Sequence, residues 1–263
     1  MDNQSYQQIN SIAIDKWADD GWEWSIPITH EDFVKAQNGD WSVLLTPSKP
    51  VPHSWFEPML KSGRLDGVKL LGLASGGGQQ MPVFSALGAD CTVFDNSERQ
   101  LERDRAVAAC EGYDITAVKG DMTKRLPFGD ETFDMIFHPV SNCYIEDVYH
   151  VWNECFRLLK RGGVLLAGMD NGLMYLFSED DPFKVVNKLP YNPLKDPELY
   201  ARCMAESDGS VQFSHTVEEQ IGGQLKAGFT LTDLFEDRGT DEIDAYVPMF
   251  LMTRAEKRVR DNS

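Results

Sequence analysis

The chain has 263 residues, 42% of them apolar, which is enough to bury a sizeable core and excludes disorder as the default state. Its 25 basic residues stand against 42 acidic ones, and the formal charge of −17 repels a phosphate backbone. No basic cluster is longer than RAEKRVR at 254–260, so nucleic acid is not an expected partner.

The five cysteines are odd in number and have no CxxC spacing, which fits a reducing compartment better than a disulfide framework. The N-terminus MDNQSYQQIN is polar and has no signal-like apolar stretch. The longest apolar run, 162–169, is cut by Asp170 and Asn171 and is too short to span a bilayer. A cytoplasmic protein with no membrane segment is expected, working as a monomer or homodimer.

In chain order, residues 1–65 come first. They hold five of the six tryptophans and the proline-punctuated TPSKPVP at 46–52, and they read as an N-terminal cap of short helices and extended pieces. From Val68 the pattern becomes alternation. Apolar VKLLGL at 68–73 is followed by a helix-like QQMPVFSAL at 79–87, apolar CTVFD at 91–95, a helix at 97–110, and strand-like DITAVKG at 114–120. A strand at 133–138, a helix at 146–160 and a strand at 163–169 continue it, with RGG at 161–163 expected to end the helix. Near-continuous apolar runs separated by amphipathic helices imply a parallel sheet covered on both faces. The fold class is therefore α/β, a doubly wound, mostly parallel seven-stranded sheet.

A proline- and acid-rich insertion at about 171–215 interrupts the alternation, and its Phe183, Leu189, Tyr191, Leu194 and Tyr200 read as a lid. A helix at 216–228 carries Gly222 and Gly223 in its interior, where each glycine costs about 1 kcal/mol, so close packing or a cofactor approach is the expected compensation. Strands at 229–237 and 246–257 close the chain as an antiparallel pair at one sheet edge. The second domain thus runs 66–263 and includes the lid.

The turn ASGGG at 74–78 follows the first strand, where a doubly wound sheet brings its backbone closest to a ligand. A phosphate loop needs a lysine after its glycines, and none is present. A dinucleotide fingerprint needs a third glycine where Met81 stands, which weakens that reading.

The segment GLASGGG at 72–78 instead resembles the glycine turn of class I S-adenosylmethionine-dependent methyltransferases. Three further segments, in order, are similar to that family: DNSERQL at 95–101, GDMTKRLPFGDETFDMIF at 120–137 and CFRLLKRGGVLL at 155–166. The resemblance spans roughly 68–257 and implies a Rossmann-like methyltransferase that binds S-adenosyl-L-methionine and acts on a small-molecule acceptor. It implies contacts to the cofactor from Ala74, Ser75, Gly76 and Gly78. Asp95, with Asn96 beside it, would accept the two ribose hydroxyls; Asp121 and Met122 would lie at the adenine, and His138 near the reaction face. Two positions depart from the family pattern: Gly72 stands where many members carry an acid, and Ala74 replaces the first glycine.

HPVSNCYIED at 138–147 leaves the carboxyl end of the fourth strand, where the family places its reaction face. His138 is the general-base candidate, since its ordinary pKa of about 6.5 lies near working pH; the competing reading is a histidine bonded to a backbone carbonyl. Asn142 and Tyr144 are candidates to orient an acceptor. No recognised metal-ligand spacing joins His138, Cys143, Glu146 and His150, so no metal is expected. Trp22, Trp24, Trp41 and Tyr6 are candidates to close over a sulfonium or an aromatic acceptor, against the plainer reading that they cement the cap to the sheet. Two alternatives to a small-molecule methyltransferase stay open: an NAD-dependent oxidoreductase with Asp95 on the ribose, and a non-catalytic module that senses S-adenosylmethionine.

Overall fold

The computed structural model describes residues 4–178, 180–206 and 209–258. Two helices precede the sheet, α1 (Tyr6–Asp19) and α2 (His30–Gln37). Each starts on a capping box, Ser5 with Gln8 and Thr29 with Asp32, which satisfies amides that a helix start leaves open. Strand and helix then alternate: β1 (Lys69–Leu73), α3 (Gln80–Ala86), β2 (Asp90–Asp95), α4 (Glu98–Glu111), β3 (Thr116–Lys119), β4 (Phe133–His138), α5 (Val148–Leu158) and β5 (Leu159–Asp170). The insertion contains α6 (Pro197–Glu206). A π-helical turn at Glu218–Gly222 leads into α7 (Gly223–Ala227), and β6 (Thr230–Asp237) and β7 (Phe250–Glu256) finish the sheet.

The strand order is β3-β2-β1-β4-β5-β7-β6, with β7 antiparallel to both its neighbours and the other pairs parallel. This is the seven-stranded, mostly parallel doubly wound sheet that the alternation implies. The order reverses between β1 and β4, so the chain leaves the carboxyl ends of those two strands in opposite directions and opens a crevice there.

Alternate strand residues feed two cores. Leu70, Val93, Met135, Phe137 and Val164 face one side, and Leu71, Phe94, Ile136, Leu165 and Ala167 the other. The first core also takes Phe33, Trp41, Leu45, Trp55 and Phe56, so residues before 65 share the sheet's own interior. Burial of each such side chain stabilises by about 1.5–3 kcal/mol. α5 covers the second face with Val148, Val151, Trp152, Cys155 and Leu158.

Two local expectations change. α5 ends at Leu158, and RGG lies inside β5 rather than capping the helix. The reason is a tie to the end of the chain: Gly162 N donates to the Lys257 carbonyl at 2.7 Å, and Lys257 Nζ donates to the Leu159 carbonyl at 2.8 Å. Of the two helix glycines, Gly223 is explained by packing, since a Cβ there would stand 2.5 Å from Trp152 Cδ1.

Candidate functional site

The turn after β1 begins at Ala74, which adopts φ 49°, a left-handed conformation that glycine takes without strain. Its amide donates to the Phe94 carbonyl at 2.8 Å, holding the turn to the end of β2. Gly76 N donates to Asp95 Oδ2 at 3.0 Å. A Cβ on Gly76 would stand 2.6 Å from Gln100 Cβ, so glycine there lets α4 and Asp95 close against the turn. Ala74, Ser75 and Gly76 line a cavity of about 350 Å³, within the size range of small-molecule sites. Gly78 does not line it. A Cβ there would point toward Pro27, the Arg103 carbonyl and Val107, a packed environment.

Asp95, Asn96, Asp121 and Met122 all line the same cavity. Asp95 Oδ1 accepts the Ser97 amide at 2.9 Å, so each carboxylate oxygen holds one amide and keeps capacity for another donor. Burial pushes its pKa up to about 6, against the lowering effect of those amides. Asp121 Oδ1 accepts from the Thr123 amide and hydroxyl at 2.8 and 2.7 Å, leaving Oδ2 with no partner among the described residues. α1 lies across this end. Asn96 Nδ2 donates to the Gln7 carbonyl at 2.8 Å, Ser11 Oγ donates to the Asn96 carbonyl at 2.7 Å, and Gln7 Nε2 donates to Thr123 Oγ1 at 3.2 Å. Carboxylates beside a close backbone turn form the acceptor set that a ribose and an adenine amino group require, so the residues present fit an adenosyl cofactor.

The reaction-face trio divides. Tyr144 lines the cavity, whereas His138 and Asn142 are wholly buried behind its wall. His138 Nδ1 lies 2.8 Å from the Leu73 carbonyl oxygen, and Nε2 lies 2.9 Å from Asn142 Oδ1. Desolvation lowers its pKa, so the ring is neutral and has one N–H. The Leu73 oxygen can only accept, so Nδ1 carries that hydrogen. Turning over the Asn142 and Gln220 amides lets Asn142 donate to Nε2 and gives Gln220 Nε2, otherwise buried without a partner, an oxygen to bind. Both ring nitrogens are thus committed to protein, and no lone pair faces the cavity. This is the geometry of the competing reading, a histidine bonded to a backbone carbonyl, here pinning β1, β4 and the loop after β4 together.

Among the cap aromatics, Trp22 and Trp24 line the cavity, and Trp41 and Tyr6 do not. Trp41 stacks on His53 with ring centroids 4.0 Å apart, and Tyr6 packs edge-on against Phe213. The stretch 44–47 forms another wall. It is held by Asp237, which accepts from Thr46 Oγ1 at 2.8 Å, Ser48 Oγ at 2.6 Å and the Ser48 and Lys49 amides, bonds that draw its pKa down to about 2. Gly168 admits this segment over β5, since a Cβ there would lie 2.0 Å from the Leu45 carbonyl oxygen.

Sequence reasoning missed Gln7, Asn10 and Asp170. Asn10 is buried in α1; its side chain donates to the Tyr144 and Val211 carbonyls at 3.2 and 2.9 Å and accepts from the Val211 amide at 2.6 Å. Nothing in the sequence couples positions so far apart. Asp170 did leave a signal: it is the first charged residue after the apolar core of β5, at a carboxyl strand end where doubly wound sheets bind ligands. It lines the cavity at 1% exposure, its Oδ1 accepts the Gly172 amide at 2.9 Å, and its Oδ2 is buried with no partner among the described residues.

A model described as a methyltransferase domain matches residues 71–167. The chain is similar to the "Uncharacterized methyltransferase YbaJ" of Bacillus subtilis, with 41% identity over 253 residues, covering 94% of this chain and 97% of that one. It is also similar to the ubiquinone/menaquinone biosynthesis C-methyltransferase UbiE of Cereibacter sphaeroides, 31% identical over 173 residues that cover 63% of this chain and 67% of the relative. In structure it resembles an S-adenosylmethionine-dependent methyltransferase of Mesorhizobium loti, with a TM-score of 0.57 at 23% identity, covering 73% of this chain and 91% of that chain.

Proposed function

The chain belongs to the class I S-adenosylmethionine-dependent methyltransferases, and from that membership we propose that it methylates a small molecule held between the glycine turn and the insertion. It is an enzyme that uses S-adenosyl-L-methionine, which when bound supplies a methyl group activated on a sulfonium. The observation that carries the acceptor class is the cavity itself. One continuous space joins Ala74–Gly76, Asp95 and Asp121 to an apolar region walled by Leu44, Val140, Met174 and Phe250. The biosynthetic small-molecule role in the name of the Cereibacter relative supports the same class.

In this reading Asp95 accepts the ribose hydroxyls and Asp121 Oδ2 the adenine amino group, while Trp22 and Trp24 cover the cofactor. The N-terminal 1–65 acts as a cap, and the insertion at about 171–215 acts as a lid. Displacement at a methyl centre requires donor and acceptor held in line in a dry pocket, and the buried His138–Asn142 pair fixes the loop that forms its floor. The chain is taken to work as a monomer or a homodimer. Five free cysteines, four of them buried, support a cytoplasmic location. The oxidoreductase alternative leaves Asp121 without a role.

Calorimetric titration with S-adenosylmethionine, S-adenosylhomocysteine and NAD tests the cofactor end. Both adenosyl compounds should bind and NAD should not. Asp95→Ala should weaken S-adenosylhomocysteine binding by about 1.5–3 kcal/mol, the loss expected for hydrogen bonds to a charged acceptor. Unchanged affinity in a folded Asp95→Ala protein would remove Asp95 from the cofactor site.

A further inference from the structure

The cavity has a second carboxylate centre that the cofactor assignment does not use. Asp170 stands at the carboxyl end of β5 with Oδ2 buried and without a partner among the described residues, and Cys143, Tyr144 and Tyr175, three other residues of the cavity wall, have pKa values raised by burial first and by the Asp170 charge in addition. A buried carboxylate oxygen without a donor is costly, so a ligand that supplies one is favoured there. The charge of that ligand follows from its surroundings. Among the described residues, no Lys, Arg or His lines the cavity, so the protein offers Asp170 no counter-ion from the wall. His215, whose charge would favour the ionised carboxyl, lies outside that wall and directs Nε2 at the Asn142 and Ile145 carbonyls. Tyr144 and Tyr175 present aromatic rings at the same end, and ring faces attract cations. Tyr175 is held in place by stacking on Tyr191 and by donating its hydroxyl to Gln212 Oε1 at 2.9 Å. The net charge of −17 draws cations and repels anions at longer range.

We propose that this end of the cavity recognises the acceptor by a positively charged nitrogen: Asp170 Oδ2 binds the ammonium group of a small amine whose apolar body lies against Leu44, Val140, Met174 and Phe250. The proposal rests on the small-molecule methyltransferase reading and deepens it by assigning the acceptor class. It excludes carboxylates and phosphates, which would meet Asp170 with no compensating cation.

The test is binding rather than turnover. Wild-type protein saturated with S-adenosylhomocysteine is titrated with benzylamine, 2-phenylethylamine and cyclohexylamine, and with benzyl alcohol and benzoate as neutral and anionic counterparts. At least one amine should bind, about tenfold or more tighter than benzyl alcohol, with benzoate not binding. Asp170→Asn keeps the Oδ1 acceptor for Gly172 and removes a buried charge, so it should melt at or above the wild-type temperature, retain its S-adenosylhomocysteine affinity, lose about tenfold or more in amine affinity and leave benzyl alcohol unchanged. Benzoate binding as well as the amines, no amine binding, or amine affinity surviving Asp170→Asn would each overturn the proposal. Loss of S-adenosylhomocysteine in place of the amine would give the carboxylate to the cofactor and overturn it too. Should the wild-type protein bind no S-adenosylhomocysteine at all, the methyltransferase reading of the cavity fails instead. A misfolded Asp170→Asn protein leaves the wild-type ranking of amine, alcohol and carboxylate to decide.

Discussion

His138 shows what a single side chain does when both of its polar atoms are spoken for. Replacing it with alanine removes the donor to the Leu73 carbonyl and the partner of Asn142, and it opens a space beside Trp152, whose ring lies 5.9 Å from the imidazole. An unpaired buried acceptor together with a cavity should cost about 2–4 kcal/mol. The expected result for His138→Ala is a lower melting temperature, with the folded fraction methylating in single turnover within a few-fold of wild type. A hundredfold slower reaction at an unchanged melting temperature would reinstate a base. The sequence located this residue at the end of β4 but not the direction of its ring, because direction is set by Leu73 and by a glutamine 82 positions later, Gln220. Asp170 was hidden for a related reason. Its type and position are legible in the apolar run that it ends, but its missing partner is a property of the packed structure alone.

At the scale of elements, the strands and helices from 68 onward were legible because each is short, apolar at the right period and punctuated by glycine or a cap such as Ser97, whose Oγ accepts the Gln100 amide at 3.1 Å. The boundaries that moved were those set by distant chain, as with Lys257 and the start of β5. The glycine turn is the element where this matters most for function. Gly76 and Gly78 look alike in sequence, but their Cβ directions lead to α4 and to the N-terminal segment, not into the cavity. Gly76→Ala should therefore act by pushing α4 away from the turn, costing about 1–3 kcal/mol of stability and weakening S-adenosylhomocysteine as the Asp95 bond is lost. Gly78→Ala should cost about 1–2 kcal/mol through its φ of +70° while leaving affinity within a few-fold. Thermal melting and calorimetry on the two variants separate these effects. Lost affinity at an unchanged melting temperature for Gly78→Ala would put that residue back at the ligand.

Across the whole molecule, the Trp-rich start of the chain and the sheet form one interior, a union that a change of composition near residue 65 does not encode. That interior encloses three aspartates with raised pKa values, and they set how stability responds to pH. Burial raises Asp104, on α4 facing the Gly77 and Gly78 amides, to about 8, and raises Asp95 and Asp170 to about 6. The nearby Asp95 charge raises Asp104 further, and Arg105 opposes it. An unfolded aspartate titrates at about 3.9. Between that value and its folded pKa each group holds its proton only in the folded state, so folding is favoured at low pH and stability falls as pH rises through 6 and then 8. Asp237 works the other way: held to about 2 by the 46–49 loop, it contributes stability above the unfolded pKa that is lost as pH drops toward 2. The melting temperature of the ligand-free protein should therefore peak on the acid side of neutrality, decline up to about pH 8 and level off beyond it. Asp104→Asn keeps the shape and cannot ionise, so it should match wild type near pH 4 and gain on wild type as pH rises, with the full difference reached at pH 8 and above. Melting curves from pH 4 to pH 9 on both proteins provide the measurement. Parallel declines in wild type and Asp104→Asn would mean that Asp104 is ionised in the fold, and that the slope comes instead from the mutual repulsion of the net negative charge, which added salt would then remove.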